Sequence, residues 1–153
     1  MNKILALDLS LSCSGVAVFN VDGSIHKLIS IETNAKEETP TRLKTIADAM
    51  IKIKKDYKPQ RAIFEQSFSR FNTSTQQIFR VNGVVNYILW DIEQIYFHST
   101  SVRKIVLDKG NAKKDEVRTY ILKKYPDLVM RNFDESDAIA VGLAYFKKEG
   151  ILK

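Results

Sequence analysis

Two short apolar runs near the start of the chain, residues 4–7 (Ile-Leu-Ala-Leu) and 16–19 (Val-Ala-Val-Phe), have the length and aliphatic content of buried strands. A turn built from Ser10, Ser12, Ser14 and Gly15 separates them. Asn20-Val21-Asp22-Gly23 is a hairpin signal, so residues 24–33, with Ile25, Leu28, Ile29 and Ile31, predict a third strand antiparallel to the second. The periodicity then changes. After a polar loop at 34–38, Thr39-Pro40-Thr41 starts a helix whose stripe is Leu43, Ile46, Ala47, Met50 and Ile53, ending near Tyr57-Lys58-Pro59. Residues 61–66 return to a short buried strand that finishes on Glu65 and Gln66.

A polar loop over 67–75 carries Phe68, Arg70 and Phe71. From about 74 to 94, Ile78, Val81, Val85, Ile88, Leu89, Ile92 and Ile95 recur at three and four, which predicts one long helix. A short strand at 95–98 and a helical piece at 102–107 follow. Gly110-Asn111 breaks the chain, and Asn111 is placed to cap a helix running to about Lys124, stopped by Tyr125-Pro126. The last helix, 133–146, is dominated by small residues suited to close packing on a sheet. Strands first and then strands alternating with helices predict a single mixed α/β domain over residues 1–153, with no internal repeat or linker.

The 153 residues, 44% of them hydrophobic, suffice for one core. No apolar run approaches the ~18 residues of a membrane span. Cys13 is the single cysteine, which excludes an internal disulfide and a cysteine zinc cluster. With no export signal at the N-terminus, a reducing cytoplasm is expected. Lysine and arginine total 24 against 18 acids, a net +6 that suggests a polyanionic partner. The excess is concentrated between Arg103 and Lys124, where eight basic residues face three acids. A solvated helix face is the competing account of that run. His26 and His98 have no ligand-like spacing.

Acids stand at three edges of the apolar framework. Asp8 and Glu65 end strands, and Asp134 and Asp137 begin a helix. Functional groups of an open α/β sheet collect beyond the carboxyl ends of its strands, and residues three apart on a helix share a face, so all four can converge. Such a cluster repels itself unless divalent cations neutralise it, and hard oxygen donors suit Mg²⁺ or Mn²⁺. Two ions ~4 Å apart can activate water and stabilise a leaving oxygen in phosphodiester cleavage. Taken singly, Asp8 also fits a hydrogen bond into its Ser-rich turn, Glu65 a lysine partner, and Asp134-Glu135-Ser136-Asp137 a helix N-terminus.

These residues resemble the RuvC family of Holliday junction resolvases, within the ribonuclease H-like superfamily. The likeness runs through Ile4-Leu-Ala-Leu-Asp8, Ser14-Gly-Val-Ala-Val18, Ala62-Ile-Phe-Glu-Gln-Ser-Phe68, residues 102–117, and Asp134-Glu-Ser-Asp-Ala-Ile-Ala140. It implies a ribonuclease H-like mixed sheet, antiparallel in its first three strands and then parallel, flanked by helices. It also implies a Mg²⁺-dependent endodeoxyribonuclease, with Mn²⁺ able to substitute and two ions per site, cutting four-way junctions and other branched DNA. Asp8, Glu65, Asp134 and Asp137 match the catalytic metal ligands. Phe68 matches an aromatic that stacks at the junction crossover, and Lys114 a basic residue near the scissile phosphate. Arg103 stands where the family usually has lysine. Arg70, Lys104, Lys109, Lys113 and Arg118 are the further DNA-binding candidates. Leu9-Ser10 replaces the family's usual Pro-Gly.

The family's homodimer makes the apolar stripe of the 74–94 helix, around Ile78–Ile92, a candidate interface, with core packing as the competing account. Small size and variant loops are similar to phage-encoded members, which work in a bacterial host's cytoplasm. The rival readings are a ribonuclease H-like nuclease of structured RNA, a non-catalytic branched-DNA-binding module, and an actin-like or sugar-kinase ATPase, for which one domain of this length is too short.

Overall fold

The computed structural model describes residues 2–66 and 73–153. Its elements are β1 (Lys3–Asp8), β2 (Cys13–Asn20), β3 (Ile25–Glu32), α1 (Thr39–Tyr57), β4 (Pro59–Gln66), α2 (Thr73–Ile88), β5 (Glu93–His98), α3 (Ser99–Leu107), α4 (Lys114–Lys124) and α5 (Phe133–Lys148). The strands form one sheet in the order β3-β2-β1-β4-β5. β1, β2 and β3 are antiparallel neighbours, whereas β4 lies parallel to β1 and β5 parallel to β4. This is the mixed sheet that the family resemblance implies, and its β2–β3 pairing is the antiparallel one that the hairpin signal predicts.

Both faces of the sheet are covered, which is why the central strands read as unbroken apolar runs. Ile4, Ala6 and Ile63 pack with α3, α4 and α5 in one core. Leu5, Leu7, Ala62 and Phe64 pack with α1 and α2 in the other. α5 lies so close to the sheet that a Cβ on Gly142 would stand 2.2 Å from the Phe19 ring. No helix among the described residues is long and apolar enough to cross a membrane.

Several boundaries differ from the periodic expectation: β5 begins at Glu93 rather than 95 and α3 at Ser99 rather than 102, and two further differences have a visible cause. The long helix ends at Ile88 rather than near Gln94, and Ile95 belongs to β5. The Gln94 side chain donates to the carbonyl oxygens of Asn86 and Leu89, and Lys54 donates to that of Ile88. These tertiary partners satisfy the last carbonyls of the helix and terminate it while the apolar period continues. α4 is capped at Lys113 rather than at Asn111, because the Glu116 carboxylate reaches back to accept the Lys113 backbone N–H at 2.6 Å.

The expected interface stripe is also corrected. Val81, Val85 and Leu89 are buried in the α1–α2 core, so that stripe packs on the sheet. A different face of the same segment is open. Phe79 is 50% exposed, Tyr87 79% and Trp90 76%.

Candidate active site

Strand parity decides where the acids point. Ile4 and Ala6 face α5, so Asp8 emerges on that face, and Ile63 carries Glu65 to the same side. Leu7 is the register partner of Phe64, which makes Asp8 and Glu65 successive groups at the carboxyl ends of adjacent parallel strands. Asp134 lies in the first turn of α5 and Asp137 three residues further on the same helix, whose start Asn132 caps by accepting the Glu135 N–H at 2.9 Å. The cap is thus a neighbouring asparagine, which leaves the two aspartates available for other work.

The electrostatics show that the acids share one field. Burial lifts the Asp8 carboxyl well above its usual range, and the charges of Glu65, Asp137 and Asp134 add to the effect while Lys114 opposes it. Burial also raises Glu65, reinforced by Asp137 and offset by Arg103 and Lys114. Asp137 is raised by burial against the pull of Lys114 and Arg103, with Asp134 contributing repulsion. The Lys114 ammonium stands 3.5 Å from Asp137. Arg103 lines a narrow cleft with Glu65, Asp137 and Ser99. Asp8, Glu65, Asp134, Asp137, Lys114 and Arg103 therefore form one cluster.

The other basic candidates separate. Arg118, on α4 one turn beyond Lys114, lies 5.3 Å over the Phe133 ring. Lys109 is held by Glu116 at 2.7 Å, outside the carboxylate cluster. Lys104 and Lys113 are exposed on the surface. Phe68 and Arg70 lie outside the described residues.

Sequence reading missed three participants. Gly15 is the ladder partner of Asp8. The Cys13 thiol is pushed up to about 11 by burial and then by the charge of Asp134, and its Sγ accepts from Asn132 Nδ2 at 3.8 Å. Glu135, the third, is wholly buried. The alternation of β2 is the signal that could have found Cys13, because it shares a face with Gly15.

Buried carboxylates that raise one another's affinity for protons would bind a hard divalent cation for the same reason. Their all-oxygen chemistry fits such an ion. Among the described residues, no group of three or more acids, histidines or cysteines already stands in a metal-holding arrangement. The donors are gathered without a closed cage.

The family model described as crossover junction endodeoxyribonuclease RuvC matches residues 4–145. The chain belongs to the RuvC family. It is thereby a structure-selective endodeoxyribonuclease of the Holliday junction resolvase type, and divalent-metal dependence comes with the family. The RuvC of Ehrlichia chaffeensis is 33% identical over 154 residues, covering 95% of this chain and 98% of the relative. The RuvC of Gluconacetobacter diazotrophicus is 26% identical over 151 residues, covering 95% and 90%. Among solved structures, Thermus thermophilus RuvC in complex with Holliday junction substrate superposes with a TM-score of 0.82. That match has 15% identity and covers 100% of this chain and 99% of the other. The superposition shows that the described residues take the fold of RuvC enzymes.

Proposed function

We propose that this RuvC-family enzyme hydrolyses phosphodiester bonds at the centre of four-way DNA junctions. In this reading, Asp8, Glu65, Asp134 and Asp137 are the ligands of two Mg²⁺ ions, for which Mn²⁺ can substitute. The observation that carries it is the common field of these acids, in which Asp8 is raised by burial and further by the charges of the other three, and Lys114 stands 3.5 Å from Asp137. When bound, the ions would supply a water of lowered pKa and a counter-charge for the leaving oxygen.

The chain's own residues bind and orient. Asp8 and Glu65 hold their carboxylates on rigid strand ends, and Asp134 and Asp137 add theirs from the helix above. Lys114, more than half exposed, is free to exchange Asp137 for a phosphate oxygen beside the cut. Arg103 steadies Glu65 and Asp137 by charge. Lys104, Lys113 and Arg118 hold flanking phosphates and give salt-dependent affinity. Lys109 contributes less, since Glu116 occupies it. Phe68 stacks at the crossover, on the family resemblance alone, and Arg70 is a further DNA-binding candidate. Selectivity comes from the geometry of the branched centre and extends to forks and flaps.

The domain spans residues 1–153 and works as a homodimer, placing two sites on opposed strands. The exposed face of Phe79, Tyr87 and Trp90 supports an interface on α2 and the turn after it. Action on DNA supports a cytoplasmic location. A phage origin rests on the variant turns, because the Ehrlichia relative is matched over 98% of its own length and size does not discriminate.

The deciding experiment is cleavage of a labelled four-way junction with and without Mg²⁺, beside duplex, flap and structured-RNA controls. Paired symmetric nicks that need Mg²⁺ and vanish in Asp8→Asn are expected. Junction binding without cleavage in either Mg²⁺ or Mn²⁺ would leave a binding module, and preferential cutting of the RNA would transfer the same chemistry to another substrate.

A further inference from the structure

The first turn of α5 is gripped from a second side by Glu135. This residue stands between Asp134 and Asp137, yet its side chain is completely buried. Its Oε1 accepts from Ser30 Oγ at 2.8 Å and from Arg131 Nε and Nη2 at 2.9 and 2.7 Å. Its Oε2 accepts the Arg131 backbone N–H at 2.9 Å. Asn132 closes the ring: its Oδ1 takes the Glu135 N–H and its Nδ2 donates to Ser30 Oγ at 3.0 Å. Although burial pushes the other way, these bonds hold the Glu135 carboxyl below its ordinary range.

A buried carboxylate satisfied this completely fixes both the height of the helix turn and its rotation about its own axis. At ~3.6 residues per turn, any rotation that frees Glu135 swings Asp134 and Asp137 with it. A cap serving its own helix needs no partner on the edge strand of the sheet, and Ser30 is such a partner.

We propose that Glu135 is a positioning residue for the metal centre: anchored to Ser30 and Arg131, it sets the orientation in which Asp134 and Asp137 meet Asp8 and Glu65. The proposal rests on the four-carboxylate reading of the site and assigns Glu135 no contact with metal or DNA.

The test compares the parent with Glu135→Ala and Ser30→Ala, without DNA. Mn²⁺ affinity is read by electron paramagnetic resonance, and amide exchange of the α5 first turn is followed without metal. Folded Glu135→Ala is expected to bind Mn²⁺ about tenfold more weakly or worse. Its first-turn amides should exchange faster while those of β1 and β4 keep their protection. Ser30→Ala keeps the Arg131 pair and should lose affinity in the same direction by a smaller factor, and it carries the test should Glu135→Ala not fold. Parental Mn²⁺ affinity in the folded variant would overturn the proposal and reduce the network to a source of stability. Since both readouts omit DNA, failure to cut junctions would count against the proposed function and not against Glu135.

Discussion

Gly15 and Asp134 touch through their backbones: a Cβ added to Gly15 would stand 2.0 Å from the Asp134 carbonyl oxygen. Because Gly15 is also the ladder partner of Asp8, one missing side chain lets a strand-borne acid and a helix-borne acid share a site. Gly15→Ala must displace the start of α5. We expect a loss of ~1–3 kcal/mol of stability and a fall in junction cleavage beyond what the loss of folded protein explains. Denaturant melts paired with cleavage assays check this, and parental activity would mean the helix end tolerates the shift.

Asp8→Asn should separate two properties. Cleavage should be abolished because a proposed metal ligand is gone, while junction binding should persist or tighten as a repulsive charge leaves the cluster. The metal-free variant should also melt several degrees higher than the parent at neutral pH, since a buried charge has been removed. Calorimetry without divalent ions measures this, and a lower melting point would show that Asp8 is stabilised by partners.

The stability of the metal-free protein should depend on pH in an unusual direction. Asp8, Glu65 and Asp137 all titrate above their ordinary values in the folded chain. The folded state therefore holds protons more tightly than the unfolded state. The stabilisation is complete below the ordinary carboxylate range and is lost as pH rises through the raised values. Glu135 has the opposite sign, but its contribution is lost only as pH falls through its depressed value, outside that window. Melting temperature should climb as pH drops from neutrality toward the ordinary carboxylate range, and Mg²⁺ should flatten the profile. A flat metal-free profile would mean that the acids do not share a field.

Lys114→Ala removes the charge beside Asp137 and should lower cleavage by about a hundredfold. It should also reduce the salt slope of junction binding by roughly one unit. An unchanged rate and slope would move Lys114 from the site to a spectator surface.

Tyr87→Glu with Trp90→Ser should convert a dimer to a monomer without unfolding it, because both side chains are three-quarters exposed in the single chain. Light scattering at micromolar concentration reads the outcome. A persistent dimer would place the interface elsewhere.

The strands and the four acids at the edges of the framework could be read from the chain because parity, periodicity and strand ends are local properties. Asp8 and Glu65 each follow an apolar run whose alternation fixes the face they occupy. Asp134 and Asp137 carry their spacing with them. Contacts made at a distance were not legible. Nothing near Gln94 reveals that its side chain will end α2, and nothing in Asp134-Glu135-Ser136-Asp137 distinguishes Glu135 from an exposed acid at a helix start. Asn111 has the better capping chemistry, yet Glu116 selects Lys113. Glu135 becomes visible only when Ser30 of β3 arrives beside it.

The order of elements along the chain acts as a safety catch. Asp8 and Glu65 emerge early in synthesis, but Asp134 and Asp137, the acids proposed to complete the site, are carried by α5, the last of the described elements along the chain. A chain that has left the ribosome only as far as β5 holds two repelling carboxylates and nothing to close over them. If the proposed four-carboxylate site is the cutting centre, partial products of translation or proteolysis that lack α5 should not cut DNA, and competence should arrive only when that helix docks.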